Sequence, residues 1–334
     1  MAYDIVGVGN ALVDIQTQVE DAFLESLGFA KGAMTLADPQ TQSKILENLP
    51  KESIKISSGG SAANTIHGIS VLGGRTYYIG KVADDDYGKH YTNDMKVCGV
   101  GFPSPQAGTQ GTGTSVVLIT PDSQRTMITH LGVSAELVAD NLDEEIIKSA
   151  KMIYIEGYLW TGKKSQAAAI KMANIAKDNK IPVAFTLSDA FVVDGFKESL
   201  TQFIKENINI LFCNEVEAKA LTSEPTPLLA ANKLSDYVET VFLTMSKKGS
   251  LVSNKKQDLI ETKPFLTTPV DTTGAGDLYA AGALYSLLNE YSLEEAGIIG
   301  SYCAGQVVTQ LGARMPVNSH NNVEKILEEY KKLS

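Results

Sequence analysis

Cysteine is scarce in this sequence. The chain of 334 residues holds three, Cys98, Cys213 and Cys303, widely spaced and without a C-x-x-C pair. That excludes a disulfide framework or a zinc ribbon and fits reduced thiols in the cytoplasm, where the protein is expected. Histidine is nearly as rare, and His67, His90, His130 and His320 show no metal-ligand spacing. Basic charge is also short: 29 Lys and Arg stand against 39 Asp and Glu, for a formal net charge of −10. Nucleic-acid binding draws its affinity from Lys and Arg on phosphates, so no nucleic-acid partner is expected. No apolar run approaches the roughly 20 residues of a membrane helix, so no membrane partner is expected either. The first residues, Met1-Ala2-Tyr3-Asp4, lead into an apolar run without a basic segment or cleavage site, and no secretory signal is read there.

There is no Pro/Gly/Ser-rich linker, internal repeat or low-complexity tract. The chain therefore reads as one α/β domain over residues 1–334 carrying an inserted lid. A hydrophobic fraction of 43% suffices for a sizeable core. Tyr3–Val8 reads as a buried strand, with Asn10 to Asp14 as a loop at its end. Ser61–Leu72 reads as a helix between Gly59-Gly60 and Gly73-Gly74, and Arg75–Ile79 as the next strand. Further strands are expected near Met152–Ile155, Val183–Leu187, Ile208–Phe212 and Glu239–Thr244, and helices near Ser165–Asn179, Phe196–Glu206 and Asn214–Leu221. This alternation requires an open, mostly parallel sheet flanked by helices. The last third reads as mostly helical: Gly276–Leu288, Leu293–Gln310 and Asn322–Lys332. Ser115–Thr120 and Arg125–His130, joined by Pro121-Asp122-Ser123-Gln124, predict a hairpin. With the mixed stretch after the first strand it predicts a small β-sheet lid, built from about 15–36 and 102–131.

The most informative stretch is Asp271-Thr272-Thr273-Gly274-Ala275-Gly276-Asp277, which opens directly into the small-residue run from Leu278 to Leu284. A glycine-rich turn exposes backbone N–H groups, and the helix behind it adds about half a positive charge. Together they form a site for a phosphate or a developing negative charge. Asp277 sits inside that site. It is either a base or an ordinary helix-start residue, and its place at a helix N-terminus is expected to lower its pKa. Phosphoryl transfer tolerates a weak base, because positioning and charge stabilisation dominate its loose transition state.

This block resembles the C-terminal signature of the ribokinase-like (PfkB) carbohydrate and nucleoside kinases, and the resemblance runs from Gly7 to about Arg314. It implies a ribokinase-like fold, ATP as phosphoryl donor, Mg²⁺, room for a monovalent cation, and a small nucleoside or sugar as the partner molecule, in a monomer or homodimer. It makes Asp277 the base and Gly274, Ala275 and Gly276 the anion hole. Asn10 and Asp14 resemble the family's sugar-contacting pair; one carboxylate can accept from two adjacent ribose hydroxyls. Gly59-Gly60-Ser61-Ala62-Ala63-Asn64 resembles the N-terminal signature, which places Gly60, Ser61 and Asn64 at the same sugar. Gly80–Gly88, with Asp84 and Gly88, matches a segment taken as structural. Asn214-Glu215-Val216-Glu217 resembles the N-x-x-E motif, which puts Asn214 near the phosphates and Glu217 on Mg²⁺ through water. Thr244, Ser246 and Gly249 stand where the family has T-x-G-x-x-G beside ATP, with Ser246 in place of the middle glycine. Arg125 resembles a lid arginine that reaches the transferring phosphate.

Each of these residues has a plainer reading: a turn Asp, a loop-to-helix junction, an Asn cap with solvated glutamates, a solvated hairpin arginine. Gly9–Asp14, Phe23–Asp38 and Thr112–Ser115 with Arg125 look more like the family branch that acts on adenosine. On that branch the implied reaction is ATP plus adenosine to ADP plus AMP, with a ribokinase- or fructokinase-like sugar kinase as the alternative. A nucleoside base needs an apolar or aromatic surface, for which Met34, Leu36 and Tyr158 are candidates ahead of Trp160. Two other classes were weighed. A dinucleotide-binding oxidoreductase needs a third glycine where Leu12 stands. A binding protein without activity has no reason to keep Asp277 with Gly274 and Gly276.

Overall fold

A computed structural model describes residues 2–105, 108–255, 257–316 and 323–332. His320, the Asn322 end of the last expected helix, and positions 106 and 107 of the expected lid lie outside those residues. Among the described residues the strands are, in chain order, β1 (Tyr3–Val8), β2 (Leu12–Gln18), β3 (Met34–Leu36) and β4 (Lys55–Gly59). Next come β5 (Thr76–Ile79), β6 (Gly113–Ile119), β7 (Arg125–His130), β8 (Ala150–Glu156) and β9 (Val183–Thr186). The series ends with β10 (Ile210–Asn214), β11 (Thr240–Thr244), β12 (Ser250–Asn254) and β13 (Gln257–Thr262).

They form an eight-stranded sheet in the order β13-β12-β11-β10-β9-β8-β1-β5 and a five-stranded sheet in the order β3-β7-β6-β2-β4. From β5 to β11 the large sheet is parallel, and β12 and β13 close its edge as an antiparallel pair. That pair interrupts the last third, which sequence reasoning treated as mostly helical. Side chains alternate across a strand, and here both faces are apolar. Val6, Val8, Ile153, Ile155, Phe185 and Leu243 enter one core; Ile5, Met152, Tyr154, Ala184, Phe212 and Phe242 enter the other. The second core also takes the helix Ala275–Leu288, which packs on Leu293–Val307 through glycine. A Cβ on Gly282 would stand 2.7 Å from the Ile299 carbonyl oxygen, and one on Gly300 2.8 Å from that of Tyr279. Gly282 and Gly300 therefore let two backbones approach where larger residues would hold them apart.

The small sheet corrects two expectations. Asn10–Asp14 is not a continuous loop: the chain turns back into β2 at Leu12, so Asp14 sits on a strand, paired with Ser57 of β4 and Ser115 of β6. And β4, from outside the two segments expected to build the lid, forms one edge of the sheet. The β6–β7 hairpin is antiparallel, as its turn residues predict. Leu24, Ile45, Leu49, Val116, Leu118 and Ile128 make a separate core beneath this sheet. No helix among the described residues is long and apolar enough to cross a membrane.

Candidate active site

In an open α/β sheet the carboxyl ends of the strands leave a crevice, and here two joined cavities occupy it beneath the small sheet. One is walled by Asn10, Asp14, Gly60, Ser61, Asn64, Tyr158 and Glu156, and by Met34, Leu36, Arg125, Met127 and Leu131 of the small sheet and its flank. The other is walled by Asn214, Glu217, Thr244, Ser246, Gly249, the loop from Pro264 to Pro269, and Ala304, Gly305 and Val308. Gly274 and Asp277 belong to both cavities. Of the residues singled out above for chemistry, Trp160 alone is elsewhere. It is buried in the core against Phe185 and Phe203 and offers a base no surface.

The glycine-rich turn takes its shape from Asp271 and Gly274. The buried Asp271 carboxylate accepts from the Thr273 amide at 2.8 Å and the Thr273 hydroxyl at 2.5 Å, and from the Gly312 amide at 2.9 Å. Gly274 has φ +78°, which favours glycine, and a Cβ there would strike Ala313. No side chain caps the helix that starts at Ala275, and Ala275 and Gly276 open onto the second cavity. Asp277 is then fixed from the facing helix Ser61–Val71: Ser61 Oγ donates to Oδ1 at 2.7 Å and Asn64 Nδ2 donates to Oδ2 at 2.9 Å. Burial raises the Asp277 pKa, against those two hydrogen bonds and the charge of Arg125, which lower it. The direction is opposite to the lowering expected at a helix N-terminus, because burial outweighs the hydrogen bonds of Asn64 and Ser61 and the charge of Arg125.

Asp14 is buried, with its carboxyl group against the Cα of Gly59 and no hydrogen bond to its oxygens among the described residues. Burial pushes its pKa up to about 7, although Arg314 and Arg125 pull it down. Asn10 is held by Glu156, a residue that sequence reasoning missed. The Asn10 amide N–H donates to Glu156 Oε1 at 2.7 Å and Asn10 Nδ2 at 2.9 Å, while the Ala62 amide donates to Oε2 at 2.8 Å. One fully buried carboxylate thus ties the end of β1 to the start of the helix that carries Ser61 and Asn64. Burial pushes its pKa up to about 7 as well. Its available signal was a lone carboxylate ending an apolar strand at the carboxyl edge.

On the other side, Asn214 and Glu217 form a reciprocal cap. Asn214 Oδ1 accepts from the Glu217 amide at 2.9 Å, and the Asn214 amide donates to Glu217 Oε2 at 3.0 Å. Asn214 Nδ2 also donates to Glu217 Oε1 at 2.6 Å. The plainer reading of this motif holds for the cap but not for a solvated glutamate: Glu217 is buried, and burial pushes its pKa up to about 7. Ser246 adopts φ +53°, a backbone conformation that suits the glycine it replaces, and a Cβ on Gly249 (φ +90°) would collide with the Thr262 carbonyl oxygen. The apolar loop with Phe265 and Leu266, the latter 75% exposed, lines this cavity and was also missed.

Arg125 Nη1 donates to the Thr272 carbonyl oxygen at 2.7 Å, and the Thr272 hydroxyl donates to the Ser123 carbonyl at 3.2 Å. The hairpin tip therefore rests on the glycine-rich turn. Tyr158, half-buried, reaches Asp189 at 3.5 Å and packs near Phe191.

A family model described as pfkB family carbohydrate kinase matches residues 31–320. The chain is 34% identical to the adenosine kinase of Sinorhizobium meliloti, whose crystal structure it matches with TM-score 0.92 over 100% of both chains. It is 32% identical to a probable sugar kinase protein from Rhizobium etli CFN 42, with TM-score 0.93 over 98% of this chain and 100% of that one. Against the adenosine kinase of Saccharomyces cerevisiae the identity is 29%, over 95% of this chain and 98% of that enzyme.

Proposed function

The chain belongs to the pfkB family of carbohydrate kinases, and from that premise we propose that it phosphorylates the ribose of adenosine to give AMP. The coarser statement is secure: it is a phosphotransferase with a hydroxyl acceptor, an ATP-dependent nucleoside or sugar kinase. The observation that carries the finer reading is the apolar wall of the first cavity. Met34, Leu36, Met127, Leu131 and Tyr158 face the same space as Asp14 and Asn10. A free pentose has no group to bury there, whereas a purine does.

Asp14 accepts hydrogen bonds from the two adjacent ribose hydroxyls, with Asn10 beside it. That leaves the primary hydroxyl directed toward Asp277, which takes its proton as the phosphoryl group arrives. The amides of Gly274 to Gly276 and the guanidinium of Arg125 face the developing charge. Glu217 is the residue that would hold Mg²⁺ through water, with Asn214 near the phosphates, and a buried carboxylate with no salt bridge among the described residues fits that role. Mg²⁺ there would neutralise phosphate charge. The small sheet acts as the lid, with Arg125 bringing its charge to the reacting phosphate and shutting out water.

The test is ATP turnover with Mg²⁺ across adenosine, guanosine, inosine, ribose and fructose. The expected result is a kcat/KM for adenosine at least ~10²-fold above that for either free sugar, as follows when a buried pocket loses its occupant. Preference for a free sugar overturns adenosine and selects the sugar-kinase reading, which the Rhizobium etli relative favours.

A further inference from the structure

Arg314 lines neither cavity, yet it reaches the catalytic aspartate through one intermediate. It lies in the chain after the helix Leu293–Val307, with its side chain 12% exposed. Its Nε donates to Asn64 Oδ1 at 3.3 Å, and the other end of the same amide, Nδ2, donates to Asp277 Oδ2 at 2.9 Å. Its charge also acts on the buried Asp14, whose pKa it lowers, and its other contacts are loose. Nη1 is 4.0 Å from Asp94 Oδ2, at the outer limit of an ion pair, and Asp94 is 38% exposed. The guanidinium carbon stands 5.5 Å from the centre of the Tyr91 ring. Nη1 and Nη2 are buried and make no hydrogen bond among the described residues. A buried cation is costly unless something compensates it, so a guanidinium here is a poor choice for packing alone.

What it supplies is direction. A side-chain amide has nearly the same shape after a half-turn, but its two ends are an acceptor and a double donor. Turned over, Asn64 would set its carbonyl oxygen against the Asp277 carboxylate, and Ser61 would be the only donor left on Asp277. A positively charged N–H on Oδ1 excludes that state. We propose that Arg314 is a positioning residue for phosphoryl transfer, holding the Asn64 amide in the one orientation that fixes Asp277. The proposal rests on the reading of Asp277 as the base.

Arg314→Lys separates direction from charge: it keeps a cation near Asp14 but loses the planar Nε donor. The expected result is a kcat about tenfold lower, as for a small misplacement of a reacting group, with acceptor KM within about threefold of wild type. In an Asn64→Ala background the same substitution should cost nothing further in kcat, because its route is already cut. Arg314→Gln, measured alongside with thermal unfolding of each variant, keeps the test valid if the lysine variant is poorly folded. A wild-type kcat in the folded variant overturns the proposal. So does an equal loss with and without Asn64, since that is the behaviour of a structural residue. Asp277→Asn distinguishes the two layers: normal turnover there removes the base reading itself, whereas loss there with a normal Arg314→Lys removes only this inference.

Discussion

On one side of Asp277 the cleft is built mostly from charged side chains taken out of water, and on the other from backbone, a loop and one buried carboxylate, Glu217. The half proposed for the acceptor holds Asp14 and Glu156, both buried, and the half-buried Asp277, with Glu156 and Asp277 held by donors on the helix Ser61–Val71. The half proposed for the nucleotide offers the uncapped start of the helix Ala275–Leu288, the backbone around Ser246 and Gly249, and an apolar loop with Leu266 largely exposed. The difference follows from what each half has to discriminate. Rejecting a wrong acceptor needs polar groups that lose heavily when left unpaired, which requires burial. Holding polyphosphate needs many N–H groups, which a helix start supplies without any particular side chain.

The sharpest way to break this comparison is at the boundary residue. Asp277→Asn keeps the shape and the volume, so both ligands should still bind, with KM values within about threefold. Turnover should fall by at least ~10²-fold, the low end for loss of a general base. Steady-state kcat and equilibrium binding of adenosine and of ATP check this together. If kcat survives, the boundary carries no chemistry and the two halves merely meet there.

The residues on that boundary differ in how far they could be read without the structure. The turn Asp271–Asp277 and the cap Asn214–Glu217 are local, each set within one helix start; the glycine spacing exposes the first, and resemblance to the family motif picks out the second. Asp14 was found as a residue but misplaced in a loop. Its strand pairs with Lys55–Gly59, whose sequence KISSG carries no apolar alternation and is held as a strand by partners far along the chain. Glu156 and Arg314 gain their places only through contacts across the fold. Each binds groups more than ninety residues away, and no window of the sequence brings them together. The antiparallel pair β12–β13 was missed for another reason: it follows a parallel series, and nothing in its composition announces the reversal.

A second, smaller effect concerns pH. Asp14 and Glu156 in the acceptor half, and Glu217 in the other, are pushed by burial to about 7 from ordinary carboxylate values near 4. Each folded-state pKa is raised, so folding takes up protons between about pH 4.5 and 7. The associated stability is present below that window and is lost as pH rises through 7. Asp277 and Asp189, also raised by burial, act in the same direction. His67 opposes them: burial lowers its pKa to about 3, so it removes stability once the unfolded chain protonates below about 6.5. The three carboxylates that titrate near 7, against one histidine, predict that the unliganded protein melts at a higher temperature at pH 6 than at pH 8. Glu156→Gln should flatten that slope. A melting temperature that is level or falls between pH 8 and pH 6 would show that these carboxylates are better solvated than the cleft implies. In that case the contrast between the two halves fails.

The smallest effect is on the nucleotide side, where identity of side chain should matter least. Ser246 holds φ +53° and lines the cavity, a conformation that favours glycine. If the backbone is what this half uses, Ser246→Gly should relieve about 1 kcal/mol of left-handed backbone cost, partly offset by the greater freedom of glycine in the unfolded chain. The melting temperature should then change by no more than about 2 °C in a chain of this size, most simply upward. The KM for ATP should stay within about twofold, because no donor on the serine is required when backbone N–H groups do the binding. A several-fold rise in that KM would show that the Ser246 hydroxyl contacts the nucleotide. The open half of the cleft would then rely on a side chain beyond Asn214 and Glu217.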